Sequence, residues 1–333
     1  MNSYQRYTGM VKGQKVDIVP RIPILMHFAA DYYNAPYSAF AGDYKVMTAA
    51  KLKLVKAFDF DLVDVMSDPY RETTAFGGQI EYRPDTTPKC IKAPLESSKD
   101  LRQLAVPDMQ TSDRLVNGIK AIAAYKKAVW QQYPISGWVE GPAAEAADLR
   151  GVENFLMDLM DDPGYCNELM TICVDTAVKF AIAQIQAGAD TIGVGDAIAS
   201  QVSLKAYETL IFPKEKELVD RIHQAGGLVR LHICGDTNRL LPWIGQLGVD
   251  ILDCDYMVDM KNARKCVGNR CVLAGNIDPV AGVMQGSPKK IHQFFIDLYK
   301  EIGNPFFVNG GCEIPRGTPE ENVKAMCEPI AAV

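Results

Sequence analysis

The stretch VRLHICGDTNRL, residues 229–240, sets His232 and Cys234 one residue apart. Side chains at i and i+2 of an extended segment share a face, so an imidazole and a thiol at this spacing can address one metal ion. The same pair also fits a buried thiol beside a hydrogen-bonded core histidine. Cys312, in NGGCEIPRG at 309–317, is a third soft donor far along the chain. Two thiolates and an imidazole suit zinc, which takes sulfur at about 2.3 Å and nitrogen at about 2.0 Å. Three protein ligands leave a fourth position for water or substrate, as a catalytic ion requires. Glu313, Asp255 or Cys254 could supply a displaceable fourth ligand, and the sequence does not choose among them.

For such distant residues to meet, the chain must fold their segments to one rim. Short apolar β-like runs recur at 21–27, 61–66, 134–141, 190–196, 228–234, 249–255, 271–276 and 305–311. Between them lie helix-like stretches such as 42–60, 163–189 and 203–227, with apolar residues three and four apart and glycine at several ends. Near-continuous apolar strands alternating with helices imply a parallel sheet covered by those helices. Eight such units predict an α/β fold, a single (β/α)8 TIM barrel over residues 1–333. Residues 77–95 read as a β-hairpin insertion after strand two. An open doubly wound sheet is the alternative, but MHFAADYY follows the first run where that fold carries a glycine-rich phosphate turn.

Barrel enzymes work at the carboxyl ends of their strands. Those ends carry His27 and Asp31, Asp68, Glu140 and Glu145, and Asp196. They continue with His232 and Cys234, then Cys254 and Asp255, then Asn276 and Asp278 in GNIDP, then Cys312 and Glu313. Asp68, Asp196 and Glu140 are candidates for catalytic groups. His27, Asp31, Glu145, Asn276, Asp278 and Glu313 are candidates to face a substrate. Each acid also has a plain structural reading as a helix cap or solvated group, and Asn276 with Asp278 would equally hold the turn before Pro279.

Composition narrows the partners. A net charge of −6 without a basic run argues against a nucleic-acid groove. No apolar run approaches the length of a membrane span, and the first residues lack the apolar core of a signal peptide. Nine cysteines scattered through 333 residues do not follow a secreted-scaffold pattern, so a reduced cytoplasm is expected. Cys166, Cys173, Cys266, Cys271 and Cys327 read as small buried hydrophobes, Cys90 as incidental, and His223 and His292 as helix-face residues.

HICGDTNRLLPWIGQLGVDILDCD, LAGNIDPV and NGGCEIPRGTPEENVKAM resemble the uroporphyrinogen decarboxylase superfamily, in particular its zinc-dependent, corrinoid-using methyltransferase branch. The resemblance runs from VPRIPILMHFAADYY to the C-terminal helix and implies a (β/α)8 barrel. Decarboxylases of the family carry arginines after the first strand that hold the carboxylates of the porphyrinogen. In MHFAADY those positions hold His27 and Asp31, an electrostatic mismatch for an eight-carboxylate substrate. Asp68, in MSDPY, matches the decarboxylase aspartate, whereas Cys312 stands where the decarboxylase has histidine and Asp148 where it has tyrosine. In the methyltransferase branch the His-x-Cys pair and the distant cysteine are zinc ligands, which maps onto His232, Cys234 and Cys312. The resemblance implies an enzyme that binds a thiol substrate such as coenzyme M on zinc and moves methyl from a methylcorrinoid to it. The chain contains no Asp-x-His-x-x-Gly corrinoid motif; DRIHQAGG narrowly misses it. The corrinoid is therefore expected on a separate partner protein. The alternative is the opposite half-reaction, demethylation of an ether, amine, thioether or halide onto the corrinoid protein, and porphyrinogen decarboxylation is a third reading.

Overall fold

The computed structural model describes residues 1–332. Its principal sheet has seven parallel strands, β1 (Val63–Asp64), β4 (Ile135–Glu140), β5 (Thr191–Gly195), β6 (Leu228–His232), β7 (Ile251–Asp253), β8 (Val272–Ile277) and β9 (Phe306–Gly310), hydrogen-bonded in that order. Between β1 and β4, strands β2 (Gln79–Glu81) and β3 (Lys89–Lys92) pair antiparallel, with a register shift between Gln79 and Ile80.

The spatial order follows the chain order without the reversal of a doubly wound sheet. Segment 20–25 draws the two edges of the sheet together. On one side Ile22 N donates to Val308 O at 2.8 Å and Val308 N to Pro20 O at 2.9 Å. On the other, Asp61 N donates to Arg21 O at 2.7 Å. The result is a curled, TIM-barrel-like α/β fold. The first expected strand, 21–27, is reduced to one bridge between Arg21 and Val308. Pro23 brings no amide proton to a ladder, and His27 already begins the helix His27–Tyr32. The second run contracts to two residues, and the fifth stops at His232, so Cys234 lies just past the strand.

Side-chain alternation sorts the strands into two faces. Ile22, Leu62, Ile251, Val272, Ala274 and Phe307 point inward and pack with Tyr7 and Met10 of the helix Ser3–Val11, which closes the amino end of the strands. Above that apolar layer Arg230 and Asp253 form a buried pair, Nε to Oδ2 at 2.7 Å. His232 follows two residues after Arg230 and points into the same interior at the carboxyl end.

Helices such as Tyr44–Phe58, Asp113–Val129 and Pro163–Ala187 cover the outer face. The stretch 203–227 is not one regular helix. A π-helical segment, Tyr207–Ile211, precedes the α-helix Phe212–Gln224. Pro213 lacks the amide proton a continuous helix needs there, and the wider turn accommodates it. Among the described residues no helix is long and apolar enough to cross a membrane.

Candidate metal centre at the carboxyl ends of the strands

The parallel register sets Glu140 beside Gly195, Gly195 beside His232, and His232 beside Asp253. The first turn past β6 carries Cys234 over the interior. The turn past β9 brings Cys312 to it across the mouth. Gly235, with φ of 91°, adopts a left-handed backbone that suits glycine, and its N–H donates to Asp255 Oδ2 at 2.9 Å. Asp255 also accepts from Met257 N at 3.1 Å; it braces the loop that holds Cys234.

His232 Nε2 lies 3.0 Å from Cys234 Sγ and 3.7 Å from Cys312 Sγ, and the two sulfurs are 3.5 Å apart. Among the described residues this is the one group of three His, Cys, Asp or Glu side chains whose ligand atoms gather within 4.8 Å. A tetrahedral zinc with ordinary bond lengths would set its sulfurs about 3.8 Å apart and each about 3.6 Å from the nitrogen. Two edges of the triangle match to within about 0.3 Å, and the His232–Cys234 edge is about 0.6 Å shorter than a bound ion would set it. His232 Nδ1 is buried without a hydrogen bond and lies 3.7 Å from Asp253 Oδ2, the side from which a carboxylate orients a metal-bound imidazole. The donor set and its spacing therefore fit zinc.

Without a metal the three groups already polarise one another. The hydrogen bond from Cys234, aided by His232 and opposed by burial, pulls the Cys312 thiol down to about 5. That same hydrogen bond, then burial, pushes Cys234 up. Burial disfavours a charged His232, but the neighbouring Cys312 outweighs it and raises the imidazole.

The triad floors a cavity of about 190 Å³ lined also by Asp68, Glu140, Glu313, Met66 and Trp138. Glycine makes room for the indole: a Cβ on Gly193 would stand 2.2 Å from Trp138 Cε3. The indole Nε1 donates to Glu140 Oε1 at 2.8 Å. Burial, reinforced by Glu72 and Asp148, holds Glu140 well above the ordinary carboxylate range. Asp68 is its opposite. Burial works against its charge, yet Arg114 Nη1 and Nη2 reach Oδ1 and Oδ2 at 2.7 and 2.6 Å and keep it ionised, below its usual range. Glu313 accepts from the His27 backbone N–H at 2.8 Å and contacts His27 Nδ1 at 2.8 Å.

The structure thus gathers His232, Cys234, Cys312, Asp68, Glu140 and Glu313 at one cavity, with His27 held beside Glu313. The remaining candidates do not line it. Asp196 is fully buried and accepts from Ala143 N and Ala144 N at 3.3 and 2.7 Å, capping the helix Pro142–Arg150. Glu145 Oε2 takes a hydrogen bond from Thr73 at 3.2 Å. Asn276 Nδ2 donates to Asp255 O and Val258 O at 3.0 and 2.9 Å. Asp278 caps the π-helical segment Pro279–Met284 through Val280 N and Ala281 N. Asp31 pairs with Arg316 at the surface, 2.8 Å away. Cys254 is buried apart from the triad.

The sequence profile of the uroporphyrinogen decarboxylase (URO-D) family matches residues 2–333. A methylcobamide:CoM methyltransferase MtbA of Methanosarcina mazei is 28% identical over 277 residues, 81% of this chain and 79% of that protein. A uroporphyrinogen decarboxylase of Trichormus variabilis is 27% identical over 339 residues, 96% of this chain and 95% of its own. Among solved structures, a methyltransferase from Methanosarcina mazei superposes with a TM-score of 0.89 at 24% identity, over 98% of this chain and 97% of that one. At that identity the superposition speaks for the fold alone.

Proposed function

Given that the chain belongs to the uroporphyrinogen decarboxylase family, within reach of its methyltransferase branch, we propose that it is a corrinoid-dependent methyltransferase. It moves a methyl group between a corrinoid carried by a separate protein and a small thiol. The observation that carries this reading is the His232–Cys234–Cys312 triangle at the floor of a cavity at the carboxyl ends of the strands.

These three side chains would hold zinc, which when bound supplies a fourth position that keeps a thiol ionised near neutral pH. With a methylcorrinoid presented at the mouth, the thiol sulfur would gain the methyl group as an S–C bond and the methyl–cobalt electron pair would stay with the corrinoid. The chain's part is to bind, orient and dry the reactants. Asp253, 3.7 Å from His232 Nδ1, stands to fix the imidazole. Trp138 and Met66 keep water from the sulfur. Glu140, hydrogen-bonded by the indole and with its hold on a proton strengthened by burial, stands over the cavity. The frame is best read as a single-domain eight-unit barrel with segment 20–25 as its first stave, and the free cysteines suit a reduced cytoplasm.

Porphyrinogen decarboxylation has relatives that span nearly the whole chain, but the cavity lining contains no arginine or lysine for an anionic tetrapyrrole. The test is incubation of zinc-loaded protein with methylcobalamin and small thiols. Methyl thioether and the Co(I) absorption should appear together. Absence of Co(I) with every thiol, while a methylated ether or amine donates methyl to Co(I), would move the enzyme to the opposite half-reaction.

A further inference from the structure

The polar wall above the triad presents carboxyl groups and no free cation. Asp68, Glu140 and Glu313 are the acids that line the cavity, and the rest of the lining outside the triad is apolar side chains, proline, alanine and glycine. The guanidinium groups nearest this wall stand behind it with their donors committed. Arg114 gives Nη1 and Nη2 to Asp68 at 2.7 and 2.6 Å and reaches Ala41 O at 3.4 Å. Arg71 gives Nη1 to Arg114 O at 3.1 Å, and Nη2 to Val65 O and Ser67 Oγ at 3.2 and 3.1 Å. Beyond the rim, Arg316 is bound to Asp31 and Asp85. The one imidazole close to the wall, His27, is tied to Glu313 and stacked on Tyr37, ring centres 3.9 Å apart.

A thiol whose sulfur sits on the triad places a short tail in the cavity of about 190 Å³ that this wall lines. A sulfonate or carboxylate tail would lose its water there and meet the Glu313 carboxylate and no cation to offset the desolvation cost. A hydroxyl or ammonium tail would find an acceptor in Glu313, whose Oε1 is held by His27 and whose side chain is partly exposed. Building on the thiol reading above, we infer that this site selects a thiol ending in a neutral or cationic hydrogen-bond donor and excludes anionic tails. Its substrate class therefore departs from that of the sulfonate-bearing coenzyme M named in its relatives.

Three thiols of equal length separate the cases: 2-mercaptoethanesulfonate, 2-mercaptoethanol and cysteamine. Each is titrated into the cobalt(II)-substituted protein, and binding is read from the growth of the sulfur-to-cobalt charge-transfer band above that given by Cys234 and Cys312 alone. The sulfonate should be the weakest of the three by about tenfold or more, which is about 1.4 kcal/mol. A sulfonate that binds as tightly as either of the others overturns the inference. Glu313→Gln should narrow the gap; an unchanged gap overturns the part assigned to that carboxylate. If none of the three thiols strengthens the band, the thiol reading itself fails and the inference falls with it, an outcome distinct from a wrong order of affinities.

Discussion

At the residue scale the site rests on an imidazole and two sulfurs with mutual spacings of 3.0, 3.5 and 3.7 Å, close enough for all three to reach one ion. Removing one donor leaves two, too few to hold zinc against water. Cys312→Ala should lower zinc affinity at least about 100-fold, beyond the loss typical of supporting partners, and should abolish methyl transfer in the same assay. Full transfer by a zinc-free variant would contradict the assigned role. His-x-Cys spacing made two of these donors readable as candidates, a glycine-rich strand end made Cys312 a third, and the fold brings the three together. The acids were less readable for a physical reason. In this fold the carboxyl end of a strand is also where the next helix begins, and aspartate serves both a site and an N-cap. Asp196 and Asp278 cap helical turns, while Glu140 enters the cavity. Nothing local in their sequences distinguishes the two uses. Arg114, which fixes the charge of Asp68 from a helix 46 residues later, carried no sequence signal at all.

At the element scale, packing between β4 and β5 shapes the cavity wall. Trp138 fits because Gly193 and Gly195 leave the neighbouring strand bare, with added Cβ atoms falling 2.2 and 2.7 Å from the indole. Gly193→Ala should destabilise the fold by about 1–3 kcal/mol, the range for overpacked interiors. Urea denaturation checks this, and a variant as stable as the parent would show that the indole has free space to move. Parallel strands and long helices were legible because continuous apolar runs and three-to-four spacing persist over many residues. The first stave and the break at Tyr207–Ile211 were not. Both turn on a single proline, Pro23 or Pro213, whose missing amide proton changes the local hydrogen bonding without altering the apolar pattern.

At the scale of the whole molecule, buried acids collect on the side of the sheet where β4 meets its following helix. Burial pushes Glu72 up to about 7. Burial, with Glu72 and Asp68 nearby, pushes Asp148 up to about 8. Both hold protons in the folded state more tightly than in the unfolded chain. Their contribution to stability is therefore complete below the ordinary carboxylate range and is lost as pH rises through about 7 to 8. The urea midpoint should fall between about pH 6 and pH 8.5, and Asp148→Asn, which cannot ionise, should shrink that fall. A midpoint that is flat or rising over this window would contradict the buried-acid account.

The central claim is a zinc ion with one position open to a thiol. X-ray absorption at the zinc edge tests it most directly, on the reconstituted protein before and after 2-mercaptoethanol is added. The account predicts one nitrogen and two sulfur neighbours from the protein plus a light atom, becoming three sulfurs when the thiol arrives. A protein that takes up no zinc, or a sulfur count that stays at two, would contradict it.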